Sequence, residues 1–307
     1  MRKYITTLLI FTALFSCQQN EEMGTKRTLN KYKKNLSQFQ WESPLDSVAS
    51  LLKPTIKIDF LSKNKKIKLG QSKFGGKPDL PKEIDWPVNG NGDPMIFLGQ
   101  LNLQELSKYD IDSLLPSKGL IYFFIHFNKP ENEFGTEYQF IFDKQDYSVL
   151  YTEESNLNSI NFPENLPKEY HFNEVSVNYS LFYSFPHRSI LLNKIGNNAN
   201  ETSEEFNEHF GNHEGEQILG YPMAIQDDVA WDWAFSEMEF NTYELSKEDL
   251  KKIDNQLVKY TTLLQFSLDN QEVGLNKIGI SIGYFGITIE NLKEKKFENS
   301  ILVFQDT

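Results

Sequence analysis

The sequence predicts an α+β fold, predominantly β-sheet with a few helices, built as two related α+β halves that share one core. Three observations lead there. Aromatics make up 14% of the 307 residues, with 24 Phe and 14 Tyr, a composition that favours sheet. Apolar runs of strand length alternate with turn residues. One order of motifs occurs twice. With 39% hydrophobic residues the chain has ample material for a core, as one large domain or two small ones.

Taken in order, Leu29, Tyr32, Leu36 and Phe39 recur at helical spacing and predict an amphipathic helix. Ser43-Pro44 opens a second, short helix that must end before Pro54. Residues 55–60 read as a strand. Residues 72–87, "SKFGGKPDLPKEIDWP", hold three prolines and a glycine pair, too broken for a helix interior. Phe74, Leu80 and Trp86 recur six apart there, so one winding loop is expected to cover a sheet with them. Gly75 and Gly76 permit positive φ, and Pro78, Pro81 and Pro87 stiffen the path. "PMIFLGQLNLQEL" (94–106) and "GLIYFFIHF" (119–127) are strand-type runs, and "YQFIF" (138–142) alternates. Residues 152–212 read as irregular. "LSKEDLKKIDNQL" (245–257) is the clearest helix, with Ser246 as cap, Asp249 at the capping-box position, a Leu245–Leu250 staple, and Leu250, Ile253 and Leu257 facing the core. "TLLQFSL", "GISIGYFGITI" and "SILVFQ" close the chain as strands.

The N-terminus belongs to targeting rather than fold. Arg2 and Lys3 precede an apolar stretch from Ile5 to Phe15, too short to span a membrane as a helix. It ends in Leu14-Phe15-Ser16-Cys17, which resembles the lipobox of bacterial lipoproteins. That resemblance implies a signal peptide over 1–16, lipid on the sulfur of Cys17, and a polar tether over 17–27 that leads into a domain over 28–307. Multiple acyl chains imply lasting attachment to a membrane of the cell envelope. Cys17 is the single cysteine, so no disulfide can form within the chain.

Charge is uneven. Residues 23–82 hold 14 Lys and Arg against four acids, whereas residues 83–307 hold 15 against 37. The acidic body argues against nucleic-acid binding, which needs phosphate neutralisation.

The repeated order runs Gly-Gly-Lys-Pro ending at Pro78, "FLGQLNL" around Gln100 and "LIYFFI", then Leu-Gly-Tyr-Pro ending at Pro222, "LLQFSL" around Gln265 and "ISIGYFGI". The halves fall at about 55–150 and 215–307, the extra length of the second being taken up by the 245–257 helix. Gln100, Gln265 and, in "PMAIQ", Gln226 sit inside apolar runs. A buried amide demands partners, so Gln100 and Gln265 are expected to point inward and tie strand to loop, each within its own half. "SKFGGKPDLPKEIDWP", "PMIFLGQLNL", "GLIYFF", "LGYPMAIQ", "LLQFSLD" and "LKEKKFENSILVFQ" occur in an order and spacing that resemble the YwqG family of bacterial proteins, across about residues 50–305. The family's biochemical role is unsettled. Its grouping with chaperones of a ribosomal protein, and its links to toxin–immunity loci, imply a protein-binding role. The signature residues are then Phe74, Gly75, Gly76, Pro78, Trp86, Gln100, Tyr221, Pro222, Gln226 and Gln265.

Catalytic patterns are incomplete. "GISIG" (279–283) fits G-x-S-x-G, but strand residues follow Ser281 where a helix is needed, and the last histidine is His213. Ser50-Leu51-Leu52-Lys53 fits S-x-x-K without its partner motifs. His209 and His213 lie four apart, the spacing of a zinc pair on a helix, with Gly211 between them. No Walker loop or G-x-G-x-x-G exists, so no cofactor is expected. The expected function is therefore a lipid-anchored, non-catalytic binder of another protein or peptide, chaperone-like or immunity-like. The alternative is an envelope hydrolase using acids such as Asp227 and Asp228, or the His209/His213 pair.

Overall fold

The computed structural model describes residues 26, 28–39, 41, 43–61, 66–127, 143–187, 215–238, 245–278 and 281–306. Cys17, the run 138–142, and His209 and His213 lie outside them.

Helix α1 (residues 28–36) forms where the periodicity places it. Leu36 is buried, and Leu29, Tyr32 and Phe39 pack with it against Val48, Leu52, Tyr183 and Phe185. Helix α2 (Leu45–Ala49) follows Pro44. The strands are β1 (Lys53–Phe60), β2 (Lys73–Phe74), β3 (Asp79–Pro81), β4 (Ile96–Asn102), β5 (Leu120–Ile125), β6 (Tyr147–Thr152), β7 (Leu157–Ser159), β8 (Val175–Ser184), β9 (Gln217–Ile218), β10 (Tyr260–Ser267), β11 (Ile282–Thr288) and β12 (Ile301–Gln305). Short helices α3 (Leu103–Leu106) and α6 (Ile289–Lys293) follow β4 and β11. Longer ones, α4 (Val229–Glu237) and α5 (Lys247–Gln256), separate β9 from β10.

Ten strands make one antiparallel sheet in the order β12-β11-β10-β9-β1-β8-β2-β4-β5-β6, while β3 and β7 pair separately. The order reads outward from a central pair, β1 and β8, with a four-stranded arm on either side. The sheet curls until its two ends approach. There the Tyr147 hydroxyl donates to the Ser300 carbonyl at 3.0 Å, and the Tyr151 and Phe297 rings lie 4.9 Å apart. Twist and curl bury one face of both arms in a common core that includes Phe74, Leu98, Phe123, Phe266 and Phe285. Each arm's outer face has its own cover. Over β4 and β5 lie Leu80 and the half-buried Trp86. Over β10–β12 lie α4 and α5, through Trp233 and Ile253.

The sheet-rich α+β class predicted from composition is the one observed. Several local expectations change. Phe74, Leu80 and Trp86 do not cover one face: Phe74 sits in the common core on β2, and Leu80 on the opposite side of the sheet. "LQEL" is helical rather than strand, because the Asn102 side chain caps it by accepting from the Gln104 N–H. Within the stretch read as irregular, Val175–Ser184 is a ten-residue strand that pairs with β1 over 177–184 and with β2 at Val175 and Ser176. Ser246 and Asp249 form the expected capping box on α5, and Ile253 and Leu257 are buried, but Leu250 is 42% exposed. Helix α4 carries no helical period, since apolar residues surround its axis. Asp228, capping it through the Ala230 N–H, is its readable signal.

Candidate functional site

Apart from Phe74 in the common core, most signature residues gather into two clusters, one on the outer face of each arm. In the first, Gln100 on β4 is fully buried. Its Oε1 accepts from the Asp79 N–H at 2.8 Å, and its Nε2 donates to the Gln71 carbonyl at 2.9 Å. Beside it in register on β5, Tyr122 donates to the Asp79 carbonyl at 2.6 Å. The residue after Pro78 is thus held by both backbone groups. Its side chain is held as well: Oδ1 accepts from Lys73 Nζ at 3.0 Å, and Oδ2 from the Gly70 N–H and Gln100 Nε2. Lys73 is 4% exposed and also meets Glu174 at 3.0 Å. A buried charge needs such partners.

In the second cluster Gln265 on β10 accepts from the Met223 N–H at 2.8 Å and donates to the Gly215 carbonyl at 2.8 Å. Tyr284, its register partner on β11, donates to the Met223 carbonyl at 2.6 Å. Burial raises the Tyr122 and Tyr284 phenols well above the ordinary value, so both remain protonated donors. Gln100 and Gln265 therefore tie strand to loop, as their setting in apolar runs demands. They point toward the covering loops, on the side of the sheet away from the common core.

The turns entering both loops match too. Gly75 and Gly76 have φ of 62° and 67°, and Leu219 and Gly220 have 62° and 67°. A Cβ on Gly75 would lie 2.1 Å from the Asn173 carbonyl oxygen, and one on Gly220 1.8 Å from Thr55 Oγ1. Space requires glycine at Gly75 and Gly220, at an angle glycine adopts most readily, while Leu219 takes the same angle where its side chain has room. Pro78 and Pro222 are buried. Tyr221 donates its N–H to Ser184 Oγ, lies under Lys53 Nζ at 4.2 Å, and has its phenol pushed up to about 12 by burial and then by Asp228.

Two signature residues behave differently. Gln226 is exposed and bonds the Asp306 carbonyl. The buried amide near it is Gln305, which accepts from the Ile225 and Gln226 N–H groups and donates to the Asp227 carbonyl and Asp232. Its place in "ILVFQ" was the signal. Trp86 donates Nε1 to the Met95 carbonyl at 2.8 Å and packs edge-on against Phe124.

Of the acids suggested for hydrolysis, Asp228 caps α4 and Asp227 is exposed. Ser281 is buried just before strand β11, with strand rather than helix following it. Ser50 ends α2, and Lys53 sits on the Tyr221 ring.

A cleft of about 300 Å³ opens at the end of the first arm, lined by Asp93, Pro94, His126, Phe127, Pro167 and Tyr170 among others. Aromatic-lined grooves take extended peptides, and here Phe127 and Tyr170 stand beside the polar Asp93, His126 and Asn165.

A family model described as a domain of unknown function, DUF1963, matches residues 72–305. The chain belongs to this family. The match begins at the serine that opens the Phe74–Trp86 segment and ends at Gln305, so the DUF1963 region holds Gln100, Gln265 and the cleft. No protein of curated function matches the chain.

Proposed function

We propose that this protein is a YwqG-like member of its family, anchored to a cell-envelope membrane by lipid on Cys17, and that it binds another protein or an extended peptide without catalysing a reaction. The observation that carries the binding role is the cleft beside His126, Phe127, Pro167 and Tyr170. The polar side chains of the two signature clusters bond to the protein's own backbone, so their chemistry serves the scaffold. Support for the anchor is the Leu14-Phe15-Ser16-Cys17 segment at the end of an apolar run.

The two arms are, in this reading, related halves of a duplicated unit. Their matching bonds at Asp79 and Met223, their matching turns, and bulges at Phe97/Gly99 and Thr262/Leu264 support it.

The anchor is tested by labelling cells with a fatty-acid analogue: Cys17→Ala should lose the label, and label retained on the variant sinks the lipoprotein reading. The binding role is tested by affinity capture from envelope extracts with wild type and Tyr170→Ala. A partner lost on the variant, at unchanged unfolding midpoint, supports the cleft; a partner retained in full rejects it.

A further inference from the structure

The two arms join the central strands through two-residue strands, and the joints are built differently. On one side β2 pairs Lys73 with Ser176 of β8 and with Gln100 of β4. On the other, β9 pairs Gln217 with Lys57 of β1 and with Gln265 of β10. Lys73 and Gln217 thus occupy corresponding positions, as do the residues before them, Ser72 and Glu216.

At the first joint Ser72 Oγ accepts from the Asn102 N–H at 2.8 Å, and Lys73 is locked by Asp79 and Glu174. At the second, Glu216 is 5% exposed, and its Oε1 accepts long bonds, 3.5 Å from the Ser267 N–H and 3.3 Å from Asn270 Nδ2, beside a contact with its own backbone N–H. Gln217 beside it donates to the Tyr221 carbonyl, while its buried Oε1 has no partner among the described residues. No cation is bonded to Glu216 among the described residues. Nearby, Lys57 and Asp59 of β1 bond each other at 2.8 Å, and the segment after β10 carries Asp269, Glu272 and Lys277.

We propose that the β1–β9–β10 joint is a conformational switch: when Glu216 ionises, β9 detaches and the second arm loosens from the central pair, while the first arm stays joined. A buried carboxylate without a cation is costly, so the charged form selects whichever state lets water reach it. Burial, and then the field of Glu272, push the Glu216 carboxyl up to about 7. The closed joint therefore holds a proton that an opened joint would release between about pH 4.5 and 7. Closure is strongest at the acidic end of that window and weakens as pH rises through it.

Amide hydrogen exchange on the full chain at pH 5.5 and 8, corrected for intrinsic rates, tests this. The second joint is reported by the Ile58 N–H, bonded to the Glu216 carbonyl, and the Leu219 N–H, bonded to the Thr262 carbonyl. The first is reported by the Gly75 N–H, bonded to the Leu98 carbonyl, and the central β1–β8 pair by the Leu61 N–H, bonded to the Ser176 carbonyl. Protection at Ile58 and Leu219 should fall by at least about tenfold between the two pH values, with Gly75 and Leu61 little changed. Glu216→Gln should remove the difference, and Glu216→Ser, copying Ser72, serves if the glutamine variant does not fold. Equal loss at both joints, no loss at either, or a loss that persists in the variants overturns the proposal.

Discussion

Phe123 and Phe285 meet ring to ring in the common core, with centroids 5.1 Å apart. Phe123 lies opposite Gly99 on β4, and Phe285 opposite Leu264 on β10. Each is the register neighbour of the tyrosine that grips its arm's loop, Tyr122 or Tyr284. The two arms thus touch through corresponding residues. Phe123→Leu and Phe285→Leu should each destabilise, and the double variant should lose less than both losses combined, by about 0.5–1.5 kcal/mol. Additive losses in denaturant unfolding would show that the rings do not couple.

The glutamines should behave as a matched pair. Gln100→Leu leaves the buried Asp79 N–H unpaired, and Gln265→Leu does the same to Met223. Each change should cost about 1–3 kcal/mol. Gln226→Leu, at an exposed position, should cost less than about 0.5 kcal/mol. Chemical denaturation of the three variants checks the ranking, and an exposed-type loss at Gln100 or Gln265 would contradict the bonding described.

Trp86 is half-buried, so Trp86→Ala should cost about 2 kcal/mol, below the range for a fully buried tryptophan. Trp86→Phe keeps the packing on Phe124 but loses the bond to the Met95 carbonyl, and should fall between. A loss for Phe equal to that for Ala would place the stabilisation in the hydrogen bond.

Asp232 gives a pH dependence of its own. Burial first, and the neighbouring Asp228 and Asp227, push its carboxyl up to about 6, against the favourable bond from Gln305. The folded state therefore holds a proton that the unfolded state releases between about pH 3.8 and 6, and stability from this group falls as pH rises through that window. Asp232→Asn should flatten the decline in unfolding midpoint across it. A midpoint profile unchanged by the substitution would remove Asp232 from the account.

What the sequence determined by itself was whatever short-range chemistry specifies. The Ser246–Asp249 box starts α5 because the capping groups lie within one turn. Leu29, Tyr32, Leu36 and Phe39 face one way because helical period puts them there. Gln100 and Gln265 had to find partners, because an amide in an apolar run is costly unpaired. The tertiary structure alone decided what depends on residues far apart. Val175–Ser184 becomes a central strand because β1 supplies its hydrogen bonds, and only the curl of the sheet sets Phe123 against Phe285. Leu250 belongs to the helical stripe by period yet remains exposed, because Trp233 and Tyr260 close the core around Ile253 and Leu257. The setting of Glu216, buried with no cation bonded to it among the described residues, is likewise tertiary. Its position in the chain matches that of Ser72, and its burial follows from the packing of β1, β9 and the turn after β10 around it.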